Sequence, residues 1–239
     1  MRVVSWNVRG MRDDLRALID TVRDLEPDLL LLQEAPQVIV PTARLRWLAR
    51  RMGLEVLVGG RLCRGLAILA SAETAGQVIR RGLTPVPQRL TDANSVFPRG
   101  IAAVRLSVPG GGELVVANLH LALDEEHRAI HVGRALELVG RAGAPVIIGG
   151  DLNERPEAPA FRALTRVLAD PAAAAAEPTF PARRPSARID ALLTTPGMAV
   201  RRSEVVTCTA GVSAARLAGA TDHLPVLLDV SLRPASRGA

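Results

Sequence analysis

Ala144-Pro145-Val146-Ile147-Ile148-Gly149-Gly150-Asp151-Leu152-Asn153 is a short β-branched run that breaks at two glycines and ends in a carboxylate and a carboxamide. It is too brief for a helix and reads as a fully buried strand. Along an extended segment, positions two apart point to the same side, so Asp151 and Asn153 project together from the strand end. The glycines leave room for a substrate or a neighbouring backbone. Taken alone, the stretch is equally a strand followed by an Asx-type turn. The pattern, however, recurs along the chain.

Arg2–Val8 reads as a strand with Val4, Trp6 and Val8 on one face and Val3, Ser5 and Asn7 on the other. Asp28-Leu29-Leu30-Leu31-Leu32-Gln33-Glu34 is a second buried run ending in a carboxylate, and Leu114 to His120 is a third with a polar end. Further short strands are expected at 55–58, 65–70, 77–83, 188–193, 198–207 and 224–232. Residues 101–108 pair with 113–120 as a hairpin around Pro109-Gly110-Gly111-Gly112. Apolar spacing predicts helices over 12–25, 41–52, 124–141 and 158–168, with Pro41 in a first turn and Gly53 at a helix end. Residues 85–98 read as a loop and 171–185 as an irregular surface connection. Strands interleaved with helices, with a hairpin between them, imply an α/β fold with mixed sheets. With no second composition regime, residues 1–232 are expected to form one domain and 233–239 a frayed tail.

The chain of 239 residues is 48% hydrophobic and 23% charged, ordinary for a globular protein with a substantial core. All 30 basic residues are arginine and the formal net charge is +6, compatible with a polyanionic partner without identifying one. The absence of tyrosine argues against a base-stacking platform for single strands. Cys63 and Cys208 have no metal-type spacing and read as two buried free thiols of a reducing compartment. No signal peptide and no membrane-spanning run is expected, so a cytoplasmic monomer without stable membrane insertion is the default.

Asn7, Glu34, His120, Asp151, Asn153, Asp190, Asp222 and His223 each sit at or beside the end of an apolar run. Ends of neighbouring strands can converge on one cleft. Carboxylate and carboxamide oxygens are hard ligands that suit magnesium or manganese, and such a set fits metal-assisted attack of water on a phosphate ester. A histidine beside a carboxylate is held in one tautomer and stabilised as imidazolium.

Val4-Ser5-Trp6-Asn7-Val8, Leu32-Gln33-Glu34, Asn118-Leu119-His120-Leu121, Gly150-Asp151-Leu152-Asn153, Arg188-Ile189-Asp190 and Thr221-Asp222-His223-Leu224-Pro225 follow one another in this order. In this the sequence resembles the endonuclease/exonuclease/phosphatase family, which includes deoxyribonuclease I, exonuclease III and neutral sphingomyelinase. The resemblance implies a four-layer α/β sandwich, two mixed sheets face to face with helices outside. It implies Mg2+, with Mn2+ as a substitute, held by Glu34 with Asn7 beside it and Asp222 in the metal environment. Asp151 would orient or deprotonate the attacking water. Asn153, His120 and Arg99 would face phosphate, and His223 paired with Asp190 would stabilise the phosphate or protonate the leaving group.

Two departures stand out. The apurinic-site branch uses a tyrosine near its phosphate, which this chain lacks, and relatives commonly carry tyrosine where Ala191 stands. The implied substrate is a phosphate ester, with nucleic acid as the first expectation and a phospholipid or small phosphate ester as the alternative. A non-catalytic binding module is the competing class. His127 and His131, four residues apart on a predicted helix, read as a solvated face.

Overall fold

The structure is a computed structural model that describes residues 1–37, 40–86 and 99–231. In chain order the elements are β1 (Arg2–Asn7), α1 (Leu15–Leu25), β2 (Leu29–Gln33), α2 (Pro41–Met52), β3 (Glu55–Val58), β4 (Ala67–Ala70), α3 (Ala72–Ala75), β5 (Val78–Pro85), β6 (Gly100–Val108), β7 (Gly112–His120), α4 (Glu125–Arg141), β8 (Val146–Asp151), α5 (Pro159–Thr165), β9 (Asp190–Thr194), β10 (Ala199–Val205), α6 (Ala214–Leu217) and β11 (Val226–Ser231). Local chemistry marks their ends. Asp14 caps α1 by accepting the Ala17 N–H at 2.9 Å, and Asp124 caps α4 through the His127 N–H at 2.9 Å. Gly53 closes α2 at φ 74°, a left-handed cap that suits glycine.

Two sheets carry the fold, one ordered β10-β11-β1-β2-β4-β3 and the other β5-β6-β7-β8-β9. Only β1–β2 and β7–β8 pair in parallel among the described strands; every other pairing is antiparallel. Alternation sends Val3 and Leu31 inward against Val104, Val116 and Ile147 of the second sheet. Val4, Trp6, Leu30 and Leu32 face outward under α1, α2 and α6. Ala117, Ile148 and Leu193 lie under α4 and α5 on the other side. The result is the four-layer α/β sandwich. Ala191 belongs to the second outer core at 1% exposure, so a small residue fills that position by packing.

The two glycines before Asp151 have separate reasons. A Cβ on Gly149 would sit 2.5 Å from Leu192 of its own sheet and 2.7 Å from Leu31 of the facing one. Gly150, at φ 150°, would place a Cβ 1.9 Å from the carbonyl oxygen of Leu119. A backbone neighbour cannot swing aside as a side chain does. Gly150→Ala is therefore expected to cost about 3 kcal/mol, read as a lower denaturant midpoint, since overpacking typically costs about 1–3 kcal/mol and here meets backbone. An unchanged midpoint would show that β7 and β8 part freely.

Several sequence expectations need correction. His127 and His131 are buried, not solvated, because they continue the inward stripe of α4 through Val132 and Ala135. Both cysteines are free, but Cys208 is exposed and Cys63 only half-buried. The segment 171–185 is not wholly superficial: Thr179 is fully buried and Ala182 nearly so. Residues 87–98 of the expected loop and the expected tail lie outside the described residues. No helix among the described residues is long and apolar enough to cross a membrane.

Candidate active site

Strand register assembles the site. β7 and β8 run parallel with His120 opposite Asp151, and β8 meets β9 with Asp151 opposite Asp190. Three polar residues thus form one row across the end of the second sheet. In the first sheet Asn7 lies opposite Gln33, and Glu34 follows directly. The two rows face each other across the inter-sheet seam.

Asn7 bridges them. Its Nδ2 donates to Glu34 Oε1 at 3.1 Å and to Asp151 Oδ2 at 2.9 Å, while its Oδ1 accepts the Arg9 N–H at 3.0 Å. Asp151 Oδ1 accepts the Asn153 N–H at 2.9 Å, and Asn153 Nδ2 donates one of its two hydrogens to the Leu121 carbonyl. His120 Nε2 stands 3.4 Å from Asp151 Oδ2 and His223 Nε2 stands 3.8 Å from the same oxygen. His223 Nδ1 meets Asp190 Oδ2 at 2.9 Å. Glu34 and Asn153 both adopt φ 50°, a left-handed conformation that costs a residue other than glycine about 1–3 kcal/mol. Such outliers cluster at functional sites, and here they flank one cleft.

Burial and charge set the protonation states. Asp151 is buried, and loss of hydration together with the charge of Asp190 raises it to about 7 against the opposing pull of His223, Asn7 and the Asn153 N–H. Burial alone would lower His223, but the charge and hydrogen bond of Asp190, then Asp151 and Asp222, lift it to about 9. His120 is held well below the usual histidine range by burial and by the electrostatic influence of Arg99, His223 and His131. The site therefore pairs an imidazolium with Asp190 and keeps His120 neutral at neutral pH. Paired groups with separated protonation are the signature of acid–base chemistry.

Two places could hold a cation. Glu34 offers hard oxygens at the cleft, one of them without a hydrogen-bond partner among the described residues. Asp151, Asp190 and His223 also bring ligand atoms within 4.8 Å of one another. That histidine is already committed to Asp190, which leaves the Glu34 side as the better fit for magnesium or manganese. Asn7 turns its N–H towards both carboxylates, so direct ligation would require the amide to flip and release Arg9.

Comparison with known proteins bears on this arrangement. The model of the Endonuclease/Exonuclease/phosphatase family matches residues 4–223. The chain belongs to this family. Its members are phosphoester hydrolases, and all six motifs lie within or run just past the matched span. Solved structures of the family fold superpose closely. A mannosyl-6-phosphatase from Bacteroides thetaiotaomicron is 21% identical with a TM-score of 0.79, covering 97% of this chain and 100% of that one. A family protein from Beutenbergia cavernae is 22% identical with a TM-score of 0.72, covering 100% and 73%. The human Nocturnin catalytic domain with bound sulfate is 16% identical with a TM-score of 0.72, covering 97% and 94%. No curated protein matches the chain.

The structure brings Asn7, Glu34, His120, Asp151, Asn153, Asp190 and His223 of this family member together, with Arg99 close enough to His120 to act on its charge. Asp222 is turned aside: its Oδ2 lies 3.3 Å from Arg9 Nε, at the wall of a separate recess of about 150 Å³. Sequence reasoning missed the supports. Gln33 Nε2 donates to Ser5 Oγ at 3.1 Å and across the seam to Asn118 Oδ1 at 2.7 Å; Asn118 Nδ2 returns to the Leu32 and Ala67 carbonyls. Thr179 Oγ1 accepts the Asp190 N–H, Phe180 packs on the His223 ring at 4.9 Å, and Trp6 Nε1 donates to the His223 carbonyl. Only the positions of Ser5, Trp6, Gln33 and Asn118 inside the motifs hinted at a role.

Proposed function

We propose that this chain hydrolyses phosphate esters, phosphodiesters of nucleic acid foremost, by attack of water assisted by magnesium or manganese held at Glu34. The observation that carries the reading is the continuous contact chain Glu34–Asn7–Asp151–His223–Asp190 across the two sheets. A bound hard cation supplies a Lewis acid that polarises a phosphoryl oxygen. Asp151, fixed through Asn7 and the Asn153 N–H, orients the attacking water and takes its proton. His223, held as imidazolium by Asp190, stabilises the phosphate and returns a proton to the leaving oxygen. His120, Arg99 and the second amide hydrogen of Asn153 supply donors to the phosphate. Asp222 contributes negative charge through its effect on His223.

A small phosphomonoester is the second reading, favoured by the mannosyl-6-phosphatase that superposes along its full length. Turnover of a chromogenic phosphodiester, of DNA and of a hexose 6-phosphate, each with magnesium and with chelator, tests both. The diester and DNA should be hydrolysed only with the metal. Turnover indifferent to chelator would sink the metal-assisted mechanism. Release of phosphate from the sugar alone would transfer the assignment to the monoester.

A further inference from the structure

Away from the cleft, the outer face of the second sheet holds a groove of about 450 Å³ between β5–β6 and the C-terminal half of α4. Its strand wall carries Arg80, Arg81 and Arg105, and its helix wall carries Arg134 and Arg141 with Glu137. Arg105 pairs with Glu113, and Arg134 meets Glu137 at 2.9 Å. Arg80, Arg81 and Arg141 make no ion pair among the described residues, which leaves three uncompensated charges around one concavity. Arginine on an edge strand protects it from unwanted pairing, and that alone would account for Arg80 and Arg81. It does not account for Arg141 on the helix wall opposite.

We infer that this groove binds the phosphodiester backbone of a nucleic acid at a surface distinct from the catalytic cleft. This rests on the phosphodiesterase reading given above. Arginine forks match phosphate oxygens in pairs. Arg134 and Arg141 stand seven helical residues apart, roughly 10 Å, so both line one side of the same groove. Ala103 on its floor pairs with Ala117, whose side chain lies on the outer face of the sheet, whereas His120, three residues further along, turns to the seam side; the groove is therefore a surface separate from the cleft. A concave channel with charge on both walls suits a strand better than the flat surface of a membrane.

The test compares Arg80→Ala/Arg81→Ala/Arg141→Ala with the parent in an Asp151→Asn background, which binds without cutting. Affinity for a short labelled DNA duplex should fall. The slope of log affinity against log salt should shrink by about 1 for each phosphate that an arginine no longer neutralises, up to about 3. With Asp151 intact, the triple variant should turn over a small chromogenic diester at the parental rate. Unchanged DNA affinity and salt slope would overturn the groove, as would weakened binding to anionic phospholipid vesicles in place of DNA. Binding through the groove by a protein that never cuts DNA would keep the groove and defeat the nuclease reading instead.

Discussion

Asp151→Asn and His223→Ala are each expected to lower kcat by about 10²–10⁴-fold, the usual loss when a positioned base or acid is removed. The asparagine keeps the size of Asp151 and can still accept from Asn7, so folding and cation binding should survive while proton acceptance is lost. His223→Ala removes the imidazolium but leaves Asp190 buried with one oxygen, Oδ1, already lacking a hydrogen-bond partner among the described residues. The pH profile separates the roles. His223 loses its proton at about 9, so the rate should fall as pH rises through that value. Asp190 is what raises His223; in Asp190→Asn the alkaline limb should therefore move to lower pH, with a milder loss at neutral pH. An alkaline limb that stays in place would break the proposed pair.

Glu34→Gln is expected to reduce turnover by orders of magnitude at ordinary magnesium, because Lewis-acid assistance supplies several kcal/mol to the transition state. The substitution preserves shape and an oxygen donor while removing the charge a hard cation requires. Part of the rate should return at high magnesium or with manganese, which distinguishes weakened binding from damage to the fold. Calorimetric titration of the metal gives a readout independent of activity. Wild-type affinity in the variant would place the ion elsewhere, with Asp151, Asp190 and His223 as the next ligand set.

The legible part of this molecule was its strands, because alternation in 2–8 and the apolar runs at 29–33 and 146–151 record burial directly. The candidate-site residues at strand ends stood out for the same reason: a polar group that stops an apolar run is conspicuous. What stayed hidden depends on contacts between distant segments. His127 and His131 share the inward stripe with Ala135, but their polarity masked the periodicity. Thr179 and Phe180 sit in a proline- and alanine-rich stretch whose composition describes a loop; their role arises only from the packing of β9 and the turn before β11. The basic groove joins a strand to a helix some fifty residues later, a pairing no local window displays.

The polar contact of Gln33 with Asn118 lies at the cleft end of an otherwise greasy seam whose far end is lined by Val3, Leu106, Leu114 and Val230. Apolar attraction has no preferred direction, whereas a buried amide hydrogen bond fixes both distance and angle. The two sheets therefore behave as plates pinned along one edge. The pinned edge is the one that sets the spacing between Glu34 on one plate and Asp151 on the other, which Asn7 spans.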